Sequence, residues 1–188
     1  MNILQEKAPA DFDAFVALFA RTYDAVKTAS PDTQVFTVFQ LEKMKGLSGG
    51  LFGGKSDPDR NEWSILERFA KADFLAFTTY PGLVYTEPSE IPANYYDEIK
   101  LHTGKRIAFF EIGWQSVSVS DSWQSSETEQ ADFIRQFFAL TKDLKPEFRI
   151  WSFLYDQNTI VPFNSMGLFR PDGTPKPGWD AWLNPAQN

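Results

Sequence analysis

Apolar residues gather in four short runs, at residues 34–40, 74–79, 106–112 and 148–153, and between the runs they recur at helical spacing. A run of four to eight apolar residues, bounded by polar or glycine punctuation, predicts a strand buried on both faces, as in parallel α/β sheets. The helical pattern opens at residues 9–29. Pro9 suits a first helical position and Asp11 a first turn, while Phe12, Phe15, Val16, Phe19, Tyr23 and Val26 share a face and Ser30-Pro31 ends the helix. A shorter helix is predicted at 63–71, with Trp63, Leu66 and Phe69 on one side. Another runs from Ile91-Pro92 to Gly104, carries Tyr95, Tyr96 and Ile99, and uses Gly104 as its closing residue. Ser126-Glu-Thr-Glu129 is a capping box. It opens a helix with Ala131, Ile134, Phe137, Phe138 and Leu144 on one face, closed by Pro146; a last helix spans 177–183 with Trp179 and Trp182.

The order is one helix followed by four β-α units, for which parallel strands joined by helical crossovers are the expected solution. The chain is thus expected to be a single α/β domain over residues 1–188. It suits either an open four-stranded sheet or half of an eight-stranded barrel, whose full form needs about 250 residues. The glycine-rich stretch at 46–54 lacks the Gly-Lys-Ser/Thr ending and the strand–glycine–helix spacing of a phosphate loop, so it reads as a mobile surface loop. Residues 116–125 and 155–165 are further loops, and Pro171-Asp-Gly173 is a turn.

Composition narrows the chemistry. At 188 residues, 43% hydrophobic and 23% charged, the chain is long and apolar enough for a sizeable core. Its 18 Phe and 6 Trp exceed what a minimal core needs and point to a ligand or partner surface. A net charge of −7 argues against nucleic acid, which calls for clustered Lys and Arg. The absence of cysteine excludes disulfides, thiolate catalysis and cysteine-based metal sites. The single histidine, His102, removes His-rich metal sites and any Ser-His-Asp arrangement that does not use it. Placed in the last turn of a predicted helix, it reads as structural. No apolar run reaches the roughly 18 residues that span a bilayer, and no signal-peptide pattern opens the chain. No membrane partner is expected, and cytoplasm and secretion both remain open as compartments.

The candidate chemistry lies in residues 106–115, Arg-Ile-Ala-Phe-Phe-Glu-Ile-Gly-Trp-Gln. Here an apolar strand ends in a carboxylate, Glu111. Glutamate is almost never fully buried unless paired, and the C-terminal end of the strands is where α/β folds build their sites. Glu111 either turns to solvent where the strand stops or stands at the mouth of the sheet beside aromatic residues that meet a ligand.

Three successive strand ends read Thr79-Tyr80-Pro81, then Glu111-Ile-Gly-Trp114, then Trp151-Ser-Phe153. Together with the tail at 167–182, this series resembles strands six, seven and eight of the clan A glycoside hydrolases, which are (β/α)8 barrels. The resemblance covers nearly the whole chain but only the C-terminal half of that fold, strands five to eight. It implies that Glu111 is the nucleophile of a retaining glycosidase, Tyr80 its orienting partner and Trp151 a platform under the sugar, with Gln40 at the strand-five position. Trp151 alternatively packs in the core and Tyr80 alternatively caps a strand. Trp114, Tyr155 and Asp156 are either loop contacts to sugar hydroxyls or exposed surface.

A retaining glycosidase needs two carboxylates about 5 to 5.5 Å apart, and in this family the acid/base follows an asparagine at the end of strand four. The opening Met1-Asn2-Ile3-Leu4 resembles the residues after that pair. Glu42 and Glu87 lie on loops at the same end of the sheet, in positions that do not match. The resemblance therefore implies hydrolysis of O-glycosidic bonds in an oligosaccharide or polysaccharide, no metal and no organic cofactor. It also implies an isolated chain that is inactive or nearly so, and self-association or a missing N-terminal half-barrel to cover the open sheet edges. Two rivals are a non-catalytic carbohydrate-binding or scaffold protein and a flavodoxin-like regulatory module.

Overall fold

The computed structural model describes residues 2–185. Met1 and the side chains of Asn2 and Ile3, on which the likeness to the segment after an Asn-Glu pair rests, lie outside it. Strands β1 (Thr37–Gln40), β2 (Leu75–Thr79), β3 (Ile107–Ile112) and β4 (Arg149–Trp151) form one sheet in that order, with every neighbouring pair parallel. The helices are α1 (Asn2–Lys7), α2 (Pro9–Ala29), α3 (Leu41–Met44), α4 (Ile99–His102), α5 (Glu127–Thr141) and α6 (Pro177–Leu183). Four apolar strands in sequential parallel order with helices between them are what half a (β/α)8 barrel requires, as expected.

The two faces of the sheet carry different clusters. On the helix-covered face, Phe39, Phe77, Phe109, Ile112 and Trp151 pack with Phe69, Phe133 and Phe137 in the main core. Phe69 is its hub under α2, with ring centroids of Phe12, Phe15, Phe19 and Phe39 between 5.2 and 6.2 Å away. Each buried phenylalanine contributes about 1.5–3 kcal/mol, so the helical stripe of α2 is held by burial more than by propensity. On the opposite, open face, Phe74, Ala76 and Ala108 pack with Phe36, Val38 and Phe148, and Phe36 stacks on Phe74 at 4.3 Å. Phe110 and Ile150 on this face stay 37% and 43% exposed.

Helix α5 starts where the sequence predicts. The Ser126 hydroxyl accepts from the Glu129 backbone N–H at 3.1 Å. The carboxylate of Glu129 is used elsewhere, accepting from Trp114 Nε1 at 2.9 Å and Ser125 Oγ at 3.1 Å. Helix α6 crosses close to α5 at Gly178, where a Cβ would come within 2.8 Å of Gln130 Oε1.

Elsewhere the predictions are corrected. The helix expected from Ile91 to Gly104 is a series of turns ending in the four-residue α4. Tyr95 and Tyr96 are both buried there, in edge-to-face contact with each other at 4.9 Å. Gly104 does not adopt the left-handed conformation of a helix-closing glycine. The segment Trp63–Phe69 is a 3-10 helix, and His102 stacks on Trp63 at 4.3 Å with the rings 7° from parallel. Residues 46–54 do not hang free: Leu51 donates its N–H to Leu83 O at 2.9 Å, and Gly50, with φ of +116°, approaches the Leu83 backbone too closely for any side chain.

Candidate active site

Parallel strands deliver their C-terminal ends to one edge of the sheet, and three of those ends meet. Tyr80, just past β2, donates its hydroxyl to Glu111 Oε2 at 2.7 Å and lies 2.8 Å from Ser152 Oγ, just past β4. The Ser152 hydroxyl also donates to Ile112 O at 3.0 Å, so its one proton is shared between that carbonyl and the tyrosine oxygen.

The pairing register shows how a strand alternating between two faces delivers Glu111 here. Phe77 pairs with Phe109 but Thr78 pairs with Glu111, so Phe110 is an extra residue in β3. A bulge of this kind re-aims the side chains that follow it. Phe110 turns to the open face, against Phe36 and Phe148, and Glu111 turns to Tyr80. Gly113 completes the geometry, because a Cβ there would lie 2.6 Å from Tyr80 Cε1 and 3.0 Å from Met166 Sδ. Only glycine lets the Tyr80 ring lie across the strand end.

Electrostatics keep Tyr80 a donor. Burial raises its pKa first, the hydrogen bond to Glu111 raises it further, and the Ser152 hydroxyl partly opposes both, so the phenol stays protonated well beyond neutral pH. The ring of Phe163, on the loop after β4, meets Tyr80 edge to face at 5.6 Å. The expectations from sequence missed Ser152 and Phe163. Serine after Trp151 carries no distinct signal, and Phe163 reaches the site only through the fold of a long loop.

The remaining predicted residues divide. Gln40 ends β1 at the same edge, partly exposed. Tyr155 is 46% exposed and leans on Phe169 at 5.5 Å. Trp114 and Trp151 take core positions instead of sugar contacts. Trp114 is fully buried, stacked on Phe133 at 4.9 Å and tied to Glu129. Trp151 is 8% exposed, donates Nε1 to Met166 O at 2.7 Å and packs between Phe133 and Trp182. Trp151 is thus no open platform, because the strand's register turns its side chain to the helices. Asp156 accepts from Lys176 Nζ at 2.6 Å and from the Gly167 N–H at 2.9 Å, a clasp on the C-terminal tail.

Neither Glu87 nor Glu42, which lies in α3 and not on a loop as expected, is bonded to Glu111. Glu87 is exposed and turned into a capping box with Glu90. Glu42, just past β1, is 4% exposed. Its Oε1 accepts from Tyr80 N at 3.0 Å, Thr79 Oγ1 at 3.1 Å and Tyr95 Oη at 3.0 Å, while Oε2 has no partner. Glu42 and Glu111 therefore sit at opposite ends of Tyr80, one on its backbone and one on its hydroxyl. Burial outweighs these hydrogen bonds and one from its own backbone N–H, and raises the Glu42 pKa. Among the described residues no group of three or more His, Asp or Glu is placed to hold a metal ion, and no helix is long and apolar enough to cross a membrane.

No family model matches the chain, and no curated protein is similar to it in sequence. Solved structures are similar to it in fold. An active-site mutant of the Rhizomucor miehei β-1,3-glucanosyltransferase, in complex with laminaritriose, has a TM-score of 0.64 at 15% identity over 93% of this chain and 59% of its own. A Ruminococcus gnavus β-glucuronidase, in complex with D-glucuronic acid, has a TM-score of 0.64 at 16% identity, covering 92% of this chain and 29% of that one. A family 39 glycoside hydrolase from Bacteroides cellulosilyticus has a TM-score of 0.59 at 18% identity, covering 91% and 36%. This chain spans less than two thirds of the length of each. It shares the α/β barrel fold of these glycoside hydrolases, over part of that fold.

Proposed function

We propose that the chain is the nucleophile-bearing half of a retaining glycosidase, corresponding to strands five to eight of the barrel. The observation that carries this reading is the 2.7 Å hydrogen bond from Tyr80 to Glu111 across the ends of adjacent parallel strands. Tyr80 holds Oε2 and leaves Oε1 to attack the anomeric carbon of a sugar. The bond to the leaving oxygen breaks as that oxygen takes a proton from an acid, and water later releases the sugar from Glu111. Phe163, beside Tyr80, supplies the apolar ring surface that Trp151 does not.

The second carboxylate is assigned to the other half of the barrel, so this chain alone is expected to be inactive. Incubation with 4-nitrophenyl β-D-glucoside and β-D-glucuronide, whose leaving group needs little protonation, should release at most about one equivalent of nitrophenol per chain and show no turnover beyond it, with none released by the Glu111→Gln variant. Sustained turnover that Glu111→Gln abolishes would overturn the assignment of the acid/base to another segment. Saccharide binding that survives Glu111→Ala, with no hydrolysis under any condition, would favour a carbohydrate-binding scaffold instead.

The same reading says what the open face is for. β1 and β4 are unpaired sheet edges among the described residues, and Phe110 and Ile150 expose apolar surface between them. Such edges and patches are covered in stable proteins. We assign this cover to the complementary half-barrel or, in its absence, to a second copy of this chain. Light scattering at micromolar concentration should show a species larger than a monomer, and a monodisperse monomer would count against the assignment.

A further inference from the structure

Tyr80 can hold Glu111 only from where its own backbone puts it, and that backbone is anchored by a side chain. Gln40 is the last residue of β1 in register with β2, opposite Thr78, and the chain then turns into α3. β1 thus offers no further residue in register to the N–H of Tyr80, and a buried N–H left without a partner is costly. Glu42 Oε1 accepts it instead, at 3.0 Å. We propose that Glu42 is a positioning residue of the Tyr80–Glu111 pair, setting where the Tyr80 hydroxyl stands against the carboxylate; the proposal rests on the glycosidase reading.

The grip covers two consecutive residues, because the same oxygen accepts from Thr79 Oγ1 at 3.1 Å. From the side of β3, Gly113 donates its N–H to Thr79 O at 3.2 Å, and beyond the strand Leu83 donates to Tyr80 O at 2.9 Å. The backbone is therefore fixed before and after the tyrosine. Its ring, lying across Gly113 and against Phe163, carries that placement out to the hydroxyl 2.7 Å from Glu111. Glu42 is itself held, by the Leu47 N–H on its carbonyl at 2.8 Å and the Tyr95 hydroxyl on Oε1 at 3.0 Å.

Stability alone does not call for this arrangement. Glu42, Thr79, Tyr95 and Tyr96 are all buried, and Glu42 Oε2 has no partner among the described residues. A polar knot of this kind in an apolar core is expensive, and such departures from good packing gather at functional sites. What the carboxyl group supplies is an acceptor fixed at one point. A reacting geometry misplaced by about 1 Å can lose about 100-fold in rate.

The test is the rate at which Glu111 is labelled by a 2,4-dinitrophenyl 2-deoxy-2-fluoro-β-glycoside, whose leaving group departs without an acid. Rates are referred to the folded fraction, measured by tryptophan fluorescence. Glu42→Asp draws the acceptor back by one methylene and should slow labelling about tenfold. Glu42→Gln keeps an acceptor where Oε1 stands and should recover the rate to within about threefold of wild type. Thr79→Val, a change of similar shape that removes the second grip, should also slow labelling, and it decides the matter if Glu42→Asp does not fold. Tyr95→Phe takes a donor from the same oxygen without touching the Tyr80 N–H, so it should lower stability and leave the rate unchanged. In a Tyr80→Phe background Glu42→Asp should have no further effect, since the hydroxyl it acts through is gone. Unslowed labelling in Glu42→Asp and Thr79→Val would overturn the positioning role and leave the reading of Glu111 standing. So would a loss in Glu42→Gln or Tyr95→Phe as large as in Glu42→Asp, or additive losses in the double variant. A wild-type chain that takes no label would overturn the reading of Glu111, and the positioning role with it.

Discussion

Replacing Glu42 by glutamine isolates a carboxyl group whose environment is fully specified. Among the described residues, Oε1 has donors on three other residues, Oε2 has no partner and no cation pairs with the group. Burial prevails, and the folded pKa stands above the ordinary 4.5. A carboxyl whose pKa is raised by folding holds its proton longer in the folded state than in the unfolded chain. Its effect on stability therefore runs opposite to that of a salt-bridged acid. Below pH 4.5 both states are protonated and there is no penalty; as pH rises through the folded pKa, stability falls, by about 1.4 kcal/mol for each unit of upward shift. Glutamine retains the Oε1 acceptor but puts an unpaired NH₂ where Oε2 stood, at a cost of about 1–3 kcal/mol that does not vary with pH. Wild type should thus be the more stable protein at pH 4, and the two should converge or cross as pH rises toward 8. Urea unfolding followed by tryptophan fluorescence between pH 4 and 8 measures the difference, and the contributions of other carboxyls cancel between the two proteins. A constant gap across that range, or a gap that widens in favour of wild type, would refute the reasoning.

Three further predictions follow from single contacts. Gly113→Ala puts a methyl 2.6 Å from the Tyr80 ring, which must withdraw by about 0.8 Å to reach an ordinary 3.4 Å contact; unfolding should show a loss of about 1–3 kcal/mol. Lys176→Ala leaves Asp156 partly buried without its cation and opens the clasp on the tail; a loss of about 3 kcal/mol is expected, with proteolysis starting in the last twenty or so residues. Ser126→Ala removes the cap of α5 and should cost about 1 kcal/mol, measured by thermal unfolding.

Much of the fold is legible in the sequence because burial writes the pattern. The four apolar runs coincide with the four strands, and Ser126 and Pro177 mark helix starts that the structure keeps. What the runs do not carry is which face each side chain takes. A strand buried on both sides has no alternation to read, so Trp114 and Trp151 look as fit for a sugar as for a core. Trp114 follows the bulge at Phe110 and Trp151 takes the helix-covered face of β4, and nothing in an apolar run announces either. Glu42 was legible only as a loop carboxylate, because the groups that bury it, Thr79 and Tyr95, are distant in sequence. Glu111 was legible because it stands at the end of an apolar strand, whereas Tyr80 as its partner was legible only through the family resemblance; the parallel pairing of β2 and β3 is what brings the two together.

The central claim is that Glu111 is a glycosidase nucleophile held by Tyr80, and covalent trapping tests it most directly. A 2,4-dinitrophenyl 2-deoxy-2-fluoro-β-glycoside has a leaving group that departs without protonation, so labelling needs the nucleophile but no acid. Incubated with gluco- and glucurono-configured reagents, the chain should gain the mass of one fluoroglycosyl group. Peptide mapping should locate that group on Glu111, with slower labelling in Tyr80→Phe and none in Glu111→Gln. An unmodified chain with both reagents, or a label on any other carboxylate, would contradict the account.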